Sequence, residues 1–352
     1  MLKSPFVFLV ILLQFIVYES FSQKLKPHEF PRGDYRIMFY NVENLFDMED
    51  DSLTWDEEFT PEGPKYWTPR KYYQKLKNIS KVITAVGQWE LPEIVGVCEI
   101  ENLKVLQDVI SKTGLKNSQY RIIHKESPDG RGIDVALFYM KNKFSPLEYE
   151  AVPVVYPFEG SRATRDILRV KGVLASGDTI HLFVNHWPSR WGGQKVTDRK
   201  RVYAASVLKR KTDSLFSADK NPNIIIMGDL NDYPTNSSLI HTLKAKTNFD
   251  NPNAEDLYNL AWQLQEVKAK GSHKYHGEWG VLDQIIISGT LLTRKSGLRT
   301  SIDDAHVFDA PFLLEKDTKY VGYITNRTYI GHRYHGGYSD HLPVYIDLFI
   351  GK

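Results

Sequence analysis

The sequence predicts an α/β or α+β fold in which mixed β-sheets are covered by helices. Three observations carry this. Short apolar, β-branched runs typical of buried strands recur along the chain, and Ile224-Ile225-Ile226-Met227 is the clearest. Stretches with a helical apolar period stand between some of these runs. Turn signals join others directly, which adds antiparallel hairpins to the same sheets.

Residues 23–34 form a polar lead-in with Pro27, Pro31 and Gly33. The first strand covers 35–40. Residues 47–70 are irregular and acidic, with Trp55, Phe59, Tyr66 and Trp67 among three prolines. That aromatic content marks an ordered surface loop, because flexible linkers lack it. Over 70–89, Tyr73, Leu76, Ile79, Val82, Ile83 and Val86 share one helical face. A strand at 94–98 precedes a helix at 102–113. Strands 120–124 and 135–139 are neighbours, joined through the turn signal Ser127-Pro128-Asp129-Gly130. Residues 166–174 and 179–185 form a hairpin around Ser176-Gly177-Asp178. A helix over 197–216, a strand at 223–228, a short helix at 236–246 and a strand at 281–288 follow. The stretch 303–337 reads as mostly loop, and the last strand covers 343–349. With no linker and no internal repeat, residues 30–352 read as one domain.

Composition sets bounds. The 352 residues are 42% hydrophobic and 25% charged, as in ordinary globular proteins. A net charge of +2 permits a polyanionic substrate without arguing for one, since strong non-specific nucleic-acid binders are more basic. Cys98 is the single cysteine, so an intramolecular disulfide and a thiolate zinc cluster are both excluded. It lies in Ile94-Val95-Gly96-Val97-Cys98 and reads as a small core residue.

The first residues read as a signal peptide over 1–22. Lys3 precedes an apolar stretch at 6–17, broken only by Gln14, and small residues follow up to Ser22. The apolar stretch is shorter than the roughly 20 residues a membrane span takes. The expectation is a secreted or periplasmic protein, with a retained anchor as the alternative.

Six separated segments share one local grammar: Asn41-Val42-Glu43-Asn44, Cys98-Glu99, Asn185-His186-Trp187-Pro188, Gly228-Asp229-Leu230-Asn231, Leu282-Asp283-Gln284 and Ser339-Asp340-His341. In each, an apolar strand ends and acidic, amide or imidazole side chains follow at once. Strand ends are where loops gather functional groups on a rigid frame. Hard oxygen donors with two histidines point to a hydrolytic metal centre.

Taken in order and at domain-sized spacing, these segments resemble the motif set of the endonuclease/exonuclease/phosphatase superfamily. The resemblance covers about residues 35–349, and the forms at Asn41–Asp47 and Asn185–Arg190 are similar to a subgroup of secreted bacterial nuclease-like members. It implies a four-layer sandwich of two mixed sheets packed face to face, with helices outside. It also implies a divalent metal, Mg²⁺ with Mn²⁺ as the alternative, on Glu99, Asp340 and Asn41. Asn41 would otherwise orient Glu99, and Glu101 is the rival ligand. Glu43 is then a supporting or surface residue. Asp229 would align or deprotonate the attacking water, and Asn231 would hold a phosphate oxygen. His341, held by Asp283, would be the general acid or base, and His186 would contact the scissile phosphate. Glu126 is expected to pair with His186.

Substrate contacts are expected from Arg190 and Arg199, which would clamp a phosphate. Lys195, Lys200 and Arg201 read either as further contacts or as a solvated helix face. Trp187 and Trp191 would stack on a base or pack within their loop. The other histidines, His273 among them, read as surface or rim residues. The leading expectation is a nuclease that hydrolyses nucleic-acid phosphodiesters by in-line water attack. The alternatives are a phosphatase, a lipid or small-molecule phosphodiesterase, and a silent binding protein. No membrane partner is expected, and no protein partner can be inferred.

Overall fold

The computed structural model describes residues 32–351. The expected signal peptide lies outside them. In chain order the elements are β1 (Tyr35–Leu45), α1 (Pro69–Gly87), β2 (Ile94–Ile100), α2 (Leu103–Ser111), β3 (Tyr120–His124), β4 (Asp134–Met140), β5 (Phe144–Val152), β6 (Ile167–Leu174) and β7 (Thr179–His186). Then come α3 (Gln194–Ala218), β8 (Ile224–Asp229), β9 (Ala245–Lys246), β10 (Leu257–Asn259), β11 (His273–Tyr275), β12 (Glu278–Gly280) and β13 (Asp283–Ser288). Short strands complete the chain: β14 (Gly297–Arg299), β15 (Ala305–Val307), β16 (Leu314–Lys316), β17 (Tyr323–Thr325), β18 (Tyr329–Ile330) and β19 (Arg333–Tyr334), before the long β20 (Val344–Gly351).

Two mixed sheets dominate. One has the order β14-β20-β1-β2-β4-β3, with β15 also on β20; the other has β5-β6-β7-β8-β13-β10-β9. At the centre of each lies a parallel pair, β1 with β2 and β7 with β8, and α1 and α3 make the crossovers that parallel strands need. Strand β8 shows how the layers arise. Ile225 and Met227 point into the core between the sheets, while Ile224 and Ile226 point outward under Ala204, Ala205 and Leu208 of α3. This is the expected four-layer sandwich. Gly96 sits where the sheets meet: a Cβ there would lie 2.7 Å from Met227 Sδ. Cys98 is fully buried, as its run of apolar neighbours requires.

Several elements differ from the expectation. Helix α1 buries Tyr72 and Lys75 instead of Tyr73, which is 39% exposed. The short helix near 236–246 is a π-helical turn at Ser238–Leu243, stopped by Lys244 in a left-handed conformation. Strand β5 carries no strand signal because it is an edge strand with Pro146 inside it and exposed Ser145, Glu148 and Tyr149 breaking its apolar pattern. The stretch 303–337 contains five two- or three-residue strands, too short to show a period. The 47–70 loop is ordered: Phe59 and Trp67 are buried, and Trp67 Nε1 donates to Phe46 O at 3.0 Å.

Candidate active site

Both parallel pairs end at the same place. The register sets Asn41 beside Cys98 in one sheet, and His186 and Asp283 on either side of Asp229 in the other. A floor of polar side chains therefore forms across the two sheets. The backbone is unusual there. Glu43, Asn44, Glu99 and Asn231 all have φ between 51° and 59°, a left-handed region that non-glycine residues seldom adopt. The β1–β2 and β2–β4 registers shift at these same residues. Such a bulge re-aims a strand-end side chain, and here it turns Glu99 toward the floor. Gly228 is required by closeness alone, since a Cβ would lie 2.4 Å from Asn185 O.

Asn41 organises the floor. Its Oδ1 accepts the Glu43 N–H at 3.0 Å, which settles which way the amide faces. Its Nδ2 then donates to Glu99 Oε1 at 3.3 Å and to Asp229 Oδ2 at 3.1 Å. In this arrangement the Asn41 amide orients two carboxylates. Glu99 also accepts the Asn44 N–H at 3.0 Å. Glu101 faces away and accepts the Asp47 N–H at 2.5 Å. Burial pushes its carboxyl up to about 8.

Asp229 is fully enclosed. Its Oδ1 accepts the Asn231 N–H at 3.0 Å. Its Oδ2 lies 3.8 Å from Nε2 of both His186 and His341. Burial, with the Asp283 charge adding to it, pushes the Asp229 carboxyl up to about 7 against the pull of His341. His341 Nδ1 meets Asp283 Oδ2 at 2.6 Å, the expected pair. Burial pulls the His341 imidazole down, but the charges of Asp283 and Asp229 and the Asp283 hydrogen bond outweigh it and hold the ring well above its ordinary value. His186 has no such partner. Burial first, then the nearby Arg165 and Arg131 charges, hold it well below its ordinary value, which favours the neutral imidazole. Asn231 spends one amide N–H on Trp187 O at 3.0 Å and keeps a second to offer.

Four residues that sequence reasoning placed poorly or missed belong to the site. Arg327 Nη2 donates to Asp340 Oδ2 at 2.9 Å, and its Nε lies 3.3 Å from Glu43 Oε1. Glu43 is a buried brace, held also by the Thr328 N–H at 2.7 Å. Lys75 is buried beneath them, bonded to Tyr338 O at 2.7 Å, and burial lowers its ammonium to about 8. A charged residue inside the apolar stripe of α1 was the available signal; Arg327, in a loop, had none. His273 is no simple rim residue. Its ring packs on His341 with centroids 4.7 Å apart, and burial pushes it down to about 4.

Other expectations fail. Glu126 does not pair with His186. Its carboxylate lies 3.7 Å from His124 Nδ1, because Asp134 holds both His124 and Ser127 and keeps that turn against its own strand. Arg190 is no free phosphate clamp, because its Nε donates to Asn231 O at 2.7 Å and it braces the Asn231 loop. Arg199 lies over the Phe158 ring. Arg201 is fully buried and pairs with Asp232 at 2.8 Å, so it is neither solvated nor a substrate contact. Trp187 is buried on Asn185 and cannot stack on a base; Trp191 is exposed.

The donor set suits a hard divalent cation. Glu99 and Asp340 keep 16% and 22% of their side-chain surface exposed, above a floor with further carboxylates and no thiolate. Asp340 shares one oxygen with Arg327, and its carboxyl is held low: burial opposes this, but the His341 and Arg327 charges prevail.

The model of the Endonuclease/Exonuclease/phosphatase family matches residues 36–349. The chain belongs to that family. Its fold is similar to that of the mannosyl-6-phosphatase from Bacteroides thetaiotaomicron, at 17% identity over 90% of this chain and 100% of that one, with a TM-score of 0.55. It is also similar to the human Nocturnin catalytic domain with bound sulfate anion, at 17% identity over 90% and 94%, TM-score 0.53. Truncated TDP2 from Caenorhabditis elegans resembles it at 15% identity over 90% and 97%, TM-score 0.51. No curated protein matches the chain in sequence. Membership makes the chain a phosphate-ester hydrolase of a divalent-metal-using family, and the strand-end floor is its candidate active site.

Proposed function

We propose that the protein is an exported, Mg²⁺-dependent phosphodiesterase that cleaves nucleic-acid strands internally. One observation carries the reaction type: Asp229 Oδ2 stands between two imidazoles, each 3.8 Å away, with Asn41 fixing its orientation. Asp229, pushed up to about 7, is matched to take a proton from water near neutral pH. His341, held protonated by Asp283, presents Nε2–H to the charge that develops on phosphorus-bound oxygen. His186 and the free amide N–H of Asn231 hold the non-bridging oxygens. Glu99 and Asp340 would hold the Mg²⁺, which when bound offsets phosphate charge as a Lewis acid. Arg327 holds Asp340 in place, and its charge, with that of Lys75, favours the ionised Asp340. No side chain needs to become covalently attached to substrate.

Export rests on the charged, apolar and small-residue succession over 1–22. The test uses protein beginning near residue 23 with Mg²⁺ or Mn²⁺, assayed on supercoiled plasmid, bis(p-nitrophenyl) phosphate and a phosphomonoester, with Glu99→Ala as control. Plasmid nicking that is abolished in the variant is the expected result. Diester turnover without nicking would move the substrate to small or lipid phosphodiesters. Monoester turnover alone would make the protein a phosphatase.

A further inference from the structure

A group of unpaired cations away from the floor lies close to the segment that follows His186. A cavity of about 170 Å³ opens there between the 47–70 loop, the 127–132 turn and the start of α3, and Trp55, Arg131, Tyr156, Arg162, Arg165 and Lys200 line it. Asp129 is the one acid in the lining, and it is already used. Arg165 Nη1 bonds it at 2.9 Å, and Nη2 bonds Trp187 O at 2.8 Å. Arg131, Arg162 and Lys200 make no ion pair among the described residues. Arg162 rests 4.7 Å from the Trp55 ring centre, and Lys200 5.8 Å from that of Tyr156.

The pocket is built, and it is joined to the active site. The Trp55 N–H donates to Gly130 O at 2.8 Å, and its ring lies 3.2 Å from where a Gly130 Cβ would stand. Trp55 nevertheless stays 55% exposed. Arg165 anchors the carbonyl next to His186. Arg131 donates to Asn44 Oδ1, and the Asn44 N–H holds Glu99. The pocket is therefore tied by hydrogen bonds to the segment that follows His186 and to the loop that holds Glu99. Three uncompensated cations call for an anion, arginine forks favour phosphate, and an exposed tryptophan offers a stacking face.

We infer that this pocket binds a phosphate flanking the scissile one, so that the enzyme selects an oligonucleotide strand over an isolated phosphate ester. The inference rests on the phosphodiesterase reading above. It also supplies the basic groups that Arg190 and Arg199 do not.

The test separates the two. Binding of a short fluorescein-labelled single-stranded oligonucleotide is followed by anisotropy in EDTA, where hydrolysis is off. Arg162→Glu/Lys200→Glu should weaken binding about tenfold or more. The salt slope should fall by about 0.7, the share of the one phosphate on a single strand that no longer meets a cation. Arg162→Lys/Lys200→Arg should retain most of the affinity, which excludes a folding artefact. Unchanged affinity and slope in the charge-reversal variant, or no binding by the wild type, would overturn the pocket. Mg²⁺-dependent cleavage of the same oligonucleotide is measured alongside. Its absence with charge-dependent binding intact would overturn the phosphodiesterase reading alone.

Discussion

Among the described residues, His341 and His124 each pair with an aspartate, alike in their bonds and unlike in what surrounds them. His341 meets Asp283 at 2.6 Å and His124 meets Asp134 at 2.9 Å, and both aspartates are buried. The difference lies in the second ring nitrogen. That of His341 faces Asp229 across 3.8 Å, in a floor shared with His186. That of His124 faces Glu126, whose side chain is 69% exposed, and Asp134 also holds the Ser127 N–H at 2.9 Å. The first pair uses one nitrogen for orientation and turns the other to the floor, where the proposed chemistry needs it. The second uses both to close the turn between β3 and β4. Pairing fixes a ring and its tautomer; only the group opposite the free nitrogen makes it catalytic.

The sharpest test asks which acidic cluster takes the cation, since His124, Glu126 and Asp134 also place ligand atoms close together. EDTA should abolish turnover. Mg²⁺ at about 100 times its Kd should stabilise the fold by about 2.7 kcal/mol. Glu99→Ala should abolish that thermal shift and Glu126→Ala should keep it; the reverse pattern would place the metal at the second pair.

Next in size, Asp283→Asn should lower kcat by about 10² to 10⁴, through loss of the imidazolium that Asp283 stabilises. The same change at Asp134 should leave kcat close to wild type. Equal losses would break the comparison. Asp134→Asn should instead show in denaturant unfolding as a loss of about 1–3 kcal/mol, because the bonds to His124 and Ser127 lose their charge. A variant with wild-type stability would mean that the second pair holds nothing.

The smallest effect comes from an imidazole with no acid partner. His181 is pushed down to about 4 by burial, then by the Arg169 and Lys171 charges. Its neutral form is favoured in the folded state, so its contribution is full above pH ~6.5 and is lost as pH falls toward 4. His181→Gln should flatten part of the fall in Tm over that window. Identical Tm profiles would show that His181 does not contribute.

The active-site floor was far more legible than its supports. Asn41, Glu99, His186, Asp229, Asp283 and His341 could be located because each stands at the end of an apolar run or beside one, and a strand's two-residue period predicts where its end lies. Their partners could not. Glu43 and Arg327 are 284 residues apart in the chain, and Lys75 and Tyr338 are 263 apart. Arg190 looked like a phosphate clamp because its charge is visible in sequence and its bond to Asn231 O is not. Glu126 was matched to His186 by the family resemblance, and its place beside His124 leaves no mark in the sequence.

The sequence alone therefore determined the main strands and the polar residues at their ends, because burial imposes a local period that can be read residue by residue; the four layers and the roles of those residues were implied by the family resemblance. Tertiary structure decided which carboxylate holds which imidazole, which arginines brace loops, and which are left facing a pocket beside Trp55. Those choices depend on distance between segments remote in the chain and on the loss of water around them, and neither leaves a local trace.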